Sequence, residues 1–340
     1  MRVLLAGGAG YIGAHTAVSL LDAGHEVVLL DDLSGTSAVA AQRVERITGK
    51  SAPLVVGNAA DDEVVESAFA DHGPIDAIIH FAAFKAVGES TQKPLEYYAN
   101  NLDTTFALLR VGLAHGIRSF VFSSTGTVYS DPADLPFTEE STTSVDLSNA
   151  YSKSKRMNEV VLADVARVNP DVNVTVLRYF NPVGAHTSGL IGEDPTGIPN
   201  NLMPYVSRVA IGALERIGVF GDDYDTPDGT GLRDYIHVVD LADGHVSALE
   251  KAAPGYAVYN LGTGRPVSVL ELISSFEKAV GRKLPTQILD RRPGDVAATY
   301  CDPAKAEREL GWKARFGIDE ASRDYWTWQS QNPQGYATAE

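Results

Sequence analysis

Three glycines at three-residue spacing, Gly7, Gly10 and Gly13, stand directly between the first apolar run, residues 3–6, and a helical stretch over residues 11–23. Few folds need that order. Gly7 permits a tight turn, Gly10 lets backbone approach a pyrophosphate, and Gly13 lets helix and strand pack closely. The helix start turns N–H groups and a partial positive charge toward phosphate oxygens. A second apolar run ends at Asp31, 18 residues past Gly13. An acidic side chain there accepts from the adenosine ribose hydroxyls and repels a 2′-phosphate, which favours NAD over NADP. A glycine-rich turn with no ligand is the competing reading.

Further apolar runs cover residues 26–31, 54–57, 76–82, 119–123 and 174–179. They are rich in Val, Ile and Leu and do not alternate with polar residues. That is the pattern of strands buried on both faces of a parallel sheet. Helical stretches at residues 63–71 and 95–115 lie between them. Repeated βα units imply a Rossmann-type, doubly wound α/β fold. The texture changes near Asn181, where residues 181–201 and 222–231 are rich in Gly and Pro. Aperiodic loops of this length are functional or disordered. Later helices are expected at residues 202–217, 239–251, 269–280 and 303–310. Residues 1–180 therefore read as the dinucleotide-binding domain. Residues 181–340 read mainly as a smaller C-terminal α/β substrate-binding domain, with segments returning to the first.

The 340 residues carry a formal net charge of −16. That argues against nucleic acid, whose phosphates need clustered Lys and Arg. The lone cysteine, Cys301, excludes an intramolecular disulfide and fits a reducing cytoplasm. The opening apolar run breaks into glycines too soon for a signal peptide, and no run of 18 apolar residues predicts a membrane span. The eight histidines are scattered, so no metal site is expected.

Tyr151 and Lys155 are four apart and share a helix face. They follow a strand that carries Ser123-Ser124-Thr125. A tyrosine working as a base near neutrality needs its pKa of about 10 lowered by about 3 units, or about 4 kcal/mol. A cation at about 5 Å supplies roughly 3 kcal/mol at an effective dielectric of about 20. Lys155 with an oxidised nicotinamide therefore suffices. Thr125 is placed to share a hydrogen bond with a substrate hydroxyl and the tyrosine oxygen, or else is a strand-end threonine satisfied by backbone.

At these residues the chain resembles the extended short-chain dehydrogenase/reductases, and within them the members that epimerise UDP-hexoses at C4. The resemblance runs through Gly7–Gly13, then Phe81-Ala82-Ala83-Phe84-Lys85-Ala86-Val87-Gly88-Glu89-Ser90 and Pro94-Leu95-Glu96-Tyr97-Tyr98. It continues through Leu177-Arg178-Tyr179-Phe180-Asn181-Pro182-Val183-Gly184-Ala185-His186, residues 197–204, residues 228–231 and Arg233-Asp234-Tyr235-Ile236-His237-Val238. It implies tightly bound NAD held by Gly7, Gly10, Tyr11, Ile12, Gly13, Asp31, Asp32, Asn58, Ala59, Phe81, Ala82, Lys85, Asn100, Tyr151, Lys155 and Phe180. It implies a UDP-sugar, UDP-glucose or UDP-galactose, held by Lys85, Thr125, Tyr151, Tyr179, Asn181, Asn201, Leu202, Gly218, Phe220, Arg233, Arg292, Asp295 and Thr299. It also implies a homodimer whose contact helices are residues 95–115 and the Tyr151 helix. Arginines suit a pyrophosphate through paired, charge-assisted hydrogen bonds. Arg292 beside Arg291 also reads as a solvated pair, and Phe220 as core.

Three positions depart from the family pattern. Thr125 replaces the usual serine and keeps the hydroxyl, so activity is expected to persist. Asn58 stands where an aspartate commonly receives the adenine amino group. Thr299 stands where bulk limits the sugar pocket, which implies room for N-acetylated sugars. Rival readings on the same scaffold are a 4,6-dehydratase, a net dehydrogenase and a non-catalytic NAD-binding regulator. The first needs an Asp-Glu pair after Thr125, where Gly126-Thr127 stand. The last needs no Tyr–Lys pair.

Overall fold

In the computed structural model, which describes residues 1–251, 253–292 and 294–338, each early apolar run is a strand. These are β1 (Arg2–Ala6), β2 (Glu26–Asp31), β3 (Leu54–Val56), β4 (Ala77–His80), β5 (Ser119–Thr125) and β6 (Asn173–Tyr179). Between them run α1 (Tyr11–Asp22), α2 (Val39–Thr48), α3 (Asp62–His72), α4 (Val87–Ser90), α5 (Pro94–Ala114) and α6 (Ala150–Val168). The second half adds β7 (Asn181–Val183), α7 (Leu202–Ala210), β8 (Ile217–Phe220), β9 (Leu232–His237), α8 (Val238–Lys251) and β10 (Gly255–Leu261). It ends with β11 (Pro266–Ser268), α9 (Val269–Val280), β12 (Thr286–Leu289), β13 (Ala298–Thr299), α10 (Ala304–Leu310) and α11 (Ile318–Gln331).

The main sheet has seven strands in the order β10-β6-β5-β4-β1-β2-β3. Every pairing within it is parallel. Both faces are buried, as the unbroken apolar runs require. Val3, Leu5, Leu29, Ile79, Val121 and Leu177 pack on one side. Leu4, Val28, Leu30, Ile78, Phe120 and Val176 pack on the other. The strand order reverses direction between β1 and β4, so a crevice opens there at the strands' carboxyl ends. The β10 strand comes from the second half of the chain yet pairs with β6 at the edge of this sheet. The remaining strands form two small sheets, one built on β9 and one from β8 and β12.

Several elements differ from the sequence reading, among them α4 and the strands from β7 onward, which it did not include. The helix expected over residues 202–217 stops at Ala210, because Gly212 takes a φ of +82°. Residue 217 instead begins β8, which pairs with β12 about seventy residues on. Helices α2 and α11 were not anticipated. In α11 the buried residues Ala321, Tyr325 and Trp328 fall at helical spacing, a signal that was present.

Candidate functional site

The glycine loop is forced by space. A Cβ on Gly13 would lie 2.2 Å from the Gly7 carbonyl oxygen, and one on Gly7 would lie 2.7 Å from the Ala82 nitrogen. Gly7 also takes a φ of +79°. Gly10 sits at the N-cap of α1, where it has no side chain to cap, and no acidic residue occupies the first turn. The leading amides of α1 are thus left for an outside acceptor. Tyr11 and Ile12 open α1, and the Tyr11 hydroxyl donates to the Gly184 carbonyl at 2.7 Å.

Asp31 ends β2 at 8% exposure. Its Oδ2 accepts from the Ala9 amide at 3.0 Å and its Oδ1 from the Leu33 amide at 3.0 Å. Burial raises its pKa, and the Leu33, Ala9 and Gly10 amides oppose that rise. The carboxylate therefore braces the glycine loop. Asp32 is exposed and accepts from Ser34. Asn58 is exposed too, and its amide oxygen already accepts from the Ala60 amide at 2.9 Å. Its neighbour Ala59 is buried. Phe81 and Ala82 follow β4, their amides bound to the Ala6 carbonyl.

The Tyr–Lys helix is set by its cap. The Asn149 side chain accepts from the Ser152 amide at 2.8 Å. Ser152 in turn donates to Thr127 Oγ1 at 2.8 Å, and Thr127 Oγ1 lies 3.1 Å from Thr125 Oγ1. Thr125 meets both backbone and the Tyr151 phenol. Its hydroxyl accepts from the Thr127 amide at 3.2 Å, and it also hydrogen-bonds the Tyr151 phenol. Burial raises the pKa of Tyr151, and the Thr125 hydrogen bond lowers it. Lys155 is 3% exposed, and its Nζ donates to the Ser123 carbonyl at 2.8 Å, 4.7 Å above the Phe122 ring. Burial lowers its pKa to about 7, while Glu159 pushes it up. Tyr179 ends β6 with its phenol pushed up by burial, next to buried Phe180.

One further residue ties this region together. Asn101 on α5 accepts from the Phe84 amide at 2.8 Å and donates to Ser154 of α6 at 2.9 Å. It pins the 81–86 loop to the Tyr–Lys helix. Its neighbour Asn100 donates to it at 3.1 Å. Sequence reasoning missed Asn101, although its place beside Asn100 was a signal.

The second-half residues gather in pairs. Asn201 holds the N-cap position of α7, ahead of Leu202, but its side chain makes no cap bond and instead donates to Glu193 at 3.2 Å. Lys85 is exposed, with Nζ 3.7 Å from the same buried carboxylate. Glu193 thus joins a residue expected on the cofactor to one expected on the sugar nucleotide. Arg233 donates to the Val296 carbonyl at 3.1 Å, and its Nη2 lies 3.7 Å from Asp295. Thr299 pairs with Arg233 across β13 and β9. The Arg292 guanidinium lies 3.8 Å from the centre of the Phe220 ring. Arg291 instead pairs with Asp223 at 2.7 Å and lies 4.0 Å over Tyr224. The two adjacent arginines therefore do different work, and Phe220 is half-buried rather than core. Gly218 lies two residues before it on β8, and Asn181 is exposed at the start of β7.

Comparison with known proteins agrees with this architecture. The model of the NAD dependent epimerase/dehydratase family matches residues 3–262. The chain is 53% identical over 342 residues to the UDP-glucose 4-epimerase of Bacillus subtilis, covering 100% of both chains. It is 48% identical to that of Caenorhabditis elegans, covering 99% of this chain and 100% of the other. Its fold matches the UDP-glucose 4-epimerase from Bifidobacterium longum, solved in complex with NAD+ and UDP, at a TM-score of 0.94. The two share 52% identity, covering 98% of this chain and 100% of that one. The glycine loop, the seven-stranded parallel sheet and this similarity along the whole length place the chain in the NAD dependent epimerase/dehydratase family.

Proposed function

We propose that the chain interconverts UDP-galactose and UDP-glucose at C4, with NAD held tightly through the cycle. The observation that carries this reading is the Thr125–Tyr151–Lys155 group at the carboxyl end of β5, with Thr125 and Lys155 buried and Tyr151 half-buried. The loop at Gly7–Gly13, with uncapped α1 amides and Asp31 behind it, suits a dinucleotide lacking a 2′-phosphate. When bound, NAD supplies a hydride acceptor that also returns the hydride. Tyr151 takes the proton of the sugar 4-hydroxyl at its phenolic oxygen. Thr125 orients that hydroxyl through the hydrogen bond it shares with the phenol. Burial alone works against the phenolate, so positive charge must offset it, and Lys155 is the buried cation one turn on. Arg233 and Arg292, together with the amides at the start of α7, hold the diphosphate, and Phe220 offers an aromatic surface to the base.

The reaction needs no net reductant. Purified protein incubated with UDP-galactose and no added cofactor should therefore form UDP-glucose. Steady release of NADH would instead support a dehydrogenase, and inertness toward every UDP-hexose would support a regulator. Thr299 is a small, half-buried residue beside Arg233, and this supports the extension to N-acetylated sugars. Failure to interconvert UDP-N-acetylglucosamine and UDP-N-acetylgalactosamine removes that extension. A homodimer through α5 and α6 fits the exposed Leu95, Val160 and Val168 on those helices, and sedimentation as a monomer would contradict it. A cytoplasmic location fits the single, buried Cys301. No helix among the described residues is long and apolar enough to cross a membrane.

A further inference from the structure

Glu159 is 0% exposed, one helical turn beyond Lys155 on α6. A buried carboxylate is costly unless it is fully paired. Here the Ser124 hydroxyl donates to Oε1 at 2.6 Å, and Arg178 donates to Oε1 at 3.0 Å and to Oε2 at 2.8 Å. Arg156 adds a contact to Oε2 at 3.3 Å. Ser124 immediately precedes Thr125 on β5, and Arg178 immediately precedes Tyr179 on β6. Arg178 continues to Tyr129 at 3.3 Å, and the Tyr129 hydroxyl donates to Asn260 of β10 at 2.6 Å. One carboxylate therefore meets the helix of Tyr151 and the two strands whose ends carry Thr125 and Tyr179.

We propose that Glu159 is a positioning residue for the catalytic pair: it ties α6 to the ends of β5 and β6 and sets a negative charge one turn from the buried Lys155 ammonium. The proposal rests on the reading of Tyr151 and Lys155 as that pair. Lys155 is faced by Glu159 from its own helix, and by the Ser123 carbonyl and the Phe122 ring from β5. From β4 it is faced by His80, which burial keeps uncharged. Glu159 is faced by Arg156, by Arg178 from β6 and by Tyr256 from β10. Glu159 is the charge that raises Lys155 against its desolvation. Without it the ammonium loses its proton at lower pH, and the catalytic tyrosine loses its cation sooner.

The test uses the whole enzyme with UDP-galactose. In Glu159→Gln, kcat should fall about 10- to 100-fold, with KM within about twofold. The alkaline limb of kcat should move to lower pH by about one unit. Glu159→Asp keeps the charge and should keep the parental alkaline limb. Gln leaves Arg178 unpaired and is liable to unfold, so the double variant Glu159→Leu with Arg178→Met provides an apolar pair in its place. That variant should melt near the parent yet retain a reduced kcat and a shift of the same sign. A folded Glu159 variant with parental kcat and parental pH profile overturns the proposal. So does an Asp variant that shifts as far as Gln, or a double variant that recovers full activity with its melting temperature. Tyr151→Phe is assayed alongside. Full turnover there overturns the reading of the pair and the proposal with it, whereas its loss with silent Glu159 variants overturns the proposal alone.

Discussion

At Gly13 an added Cβ would lie 2.2 Å from a backbone oxygen, whereas Arg292 stays exposed with its guanidinium 3.8 Å from the Phe220 ring centre. The first is a steric constraint between residues six apart in the chain. The second is a contact between residues seventy-two apart, made by a flexible side chain over an aromatic face. The first kind of constraint shapes the glycine loop, and the second kind joins the loop that carries Arg292 to β8. A crowded loop has one geometry and one partner shape. A paired arginine can adjust, which suits a substrate whose sugar has to turn over between hydride removal and return.

Perturbations should separate these two regions from the chemistry between them. The largest effect is expected from Tyr151→Phe, which should cut kcat about 10³-fold, with NAD retained. NAD content and turnover measured on one preparation check this, and unchanged turnover would remove Tyr151 from its role. Arg292→Leu comes next. Loss of a charge-assisted contact worth about 1.5–3 kcal/mol should raise KM for the UDP-sugar about 10- to 100-fold, with kcat nearly kept. Gly13→Ala should destabilise by about 1–3 kcal/mol through overpacking and deplete bound NAD. A Gly13 variant that lost only substrate affinity would erase the distinction between the regions.

The smallest effect concerns pH. Burial lowers Lys155 to about 7 in the folded chain, below the ordinary lysine value of about 10.4. Below about pH 7 the lysine is charged in both folded and unfolded chains. Between about 7 and 10 only the unfolded chain keeps that proton, so this group makes stability rise with pH across the window. Melting temperatures of NAD-free protein should climb from pH 7 to 9, and Lys155→Met should flatten the climb.

Much of this was legible in the sequence, for reasons the same comparison explains. The glycine loop, Asp31, the strands of the main sheet through β6 and the Tyr151–Lys155 spacing are all local patterns. Local backbone sterics and uninterrupted apolar runs produce them. The pairing of Arg178 with Glu159, Asn101 with Ser154 and Arg292 with Phe220 depends on the assembled fold. No spacing along the chain reveals such contacts. Asp31 shows the same limit: its identity was readable, but its use of both oxygens on the loop's own amides was not. Gly212 was a readable stop for α7, but the strand that begins at Ile217 was hidden, because its partner β12 lies about seventy residues on.

The most direct measurement follows the hydrogen at C4. UDP-galactose deuterated at C4 is incubated with the protein, and the UDP-glucose formed is examined by NMR and mass spectrometry. If Tyr151 handles only the hydroxyl proton while the C4 hydrogen moves as a hydride shielded from water, the product keeps its deuterium at C4. Exchange of that deuterium for solvent hydrogen would contradict the account.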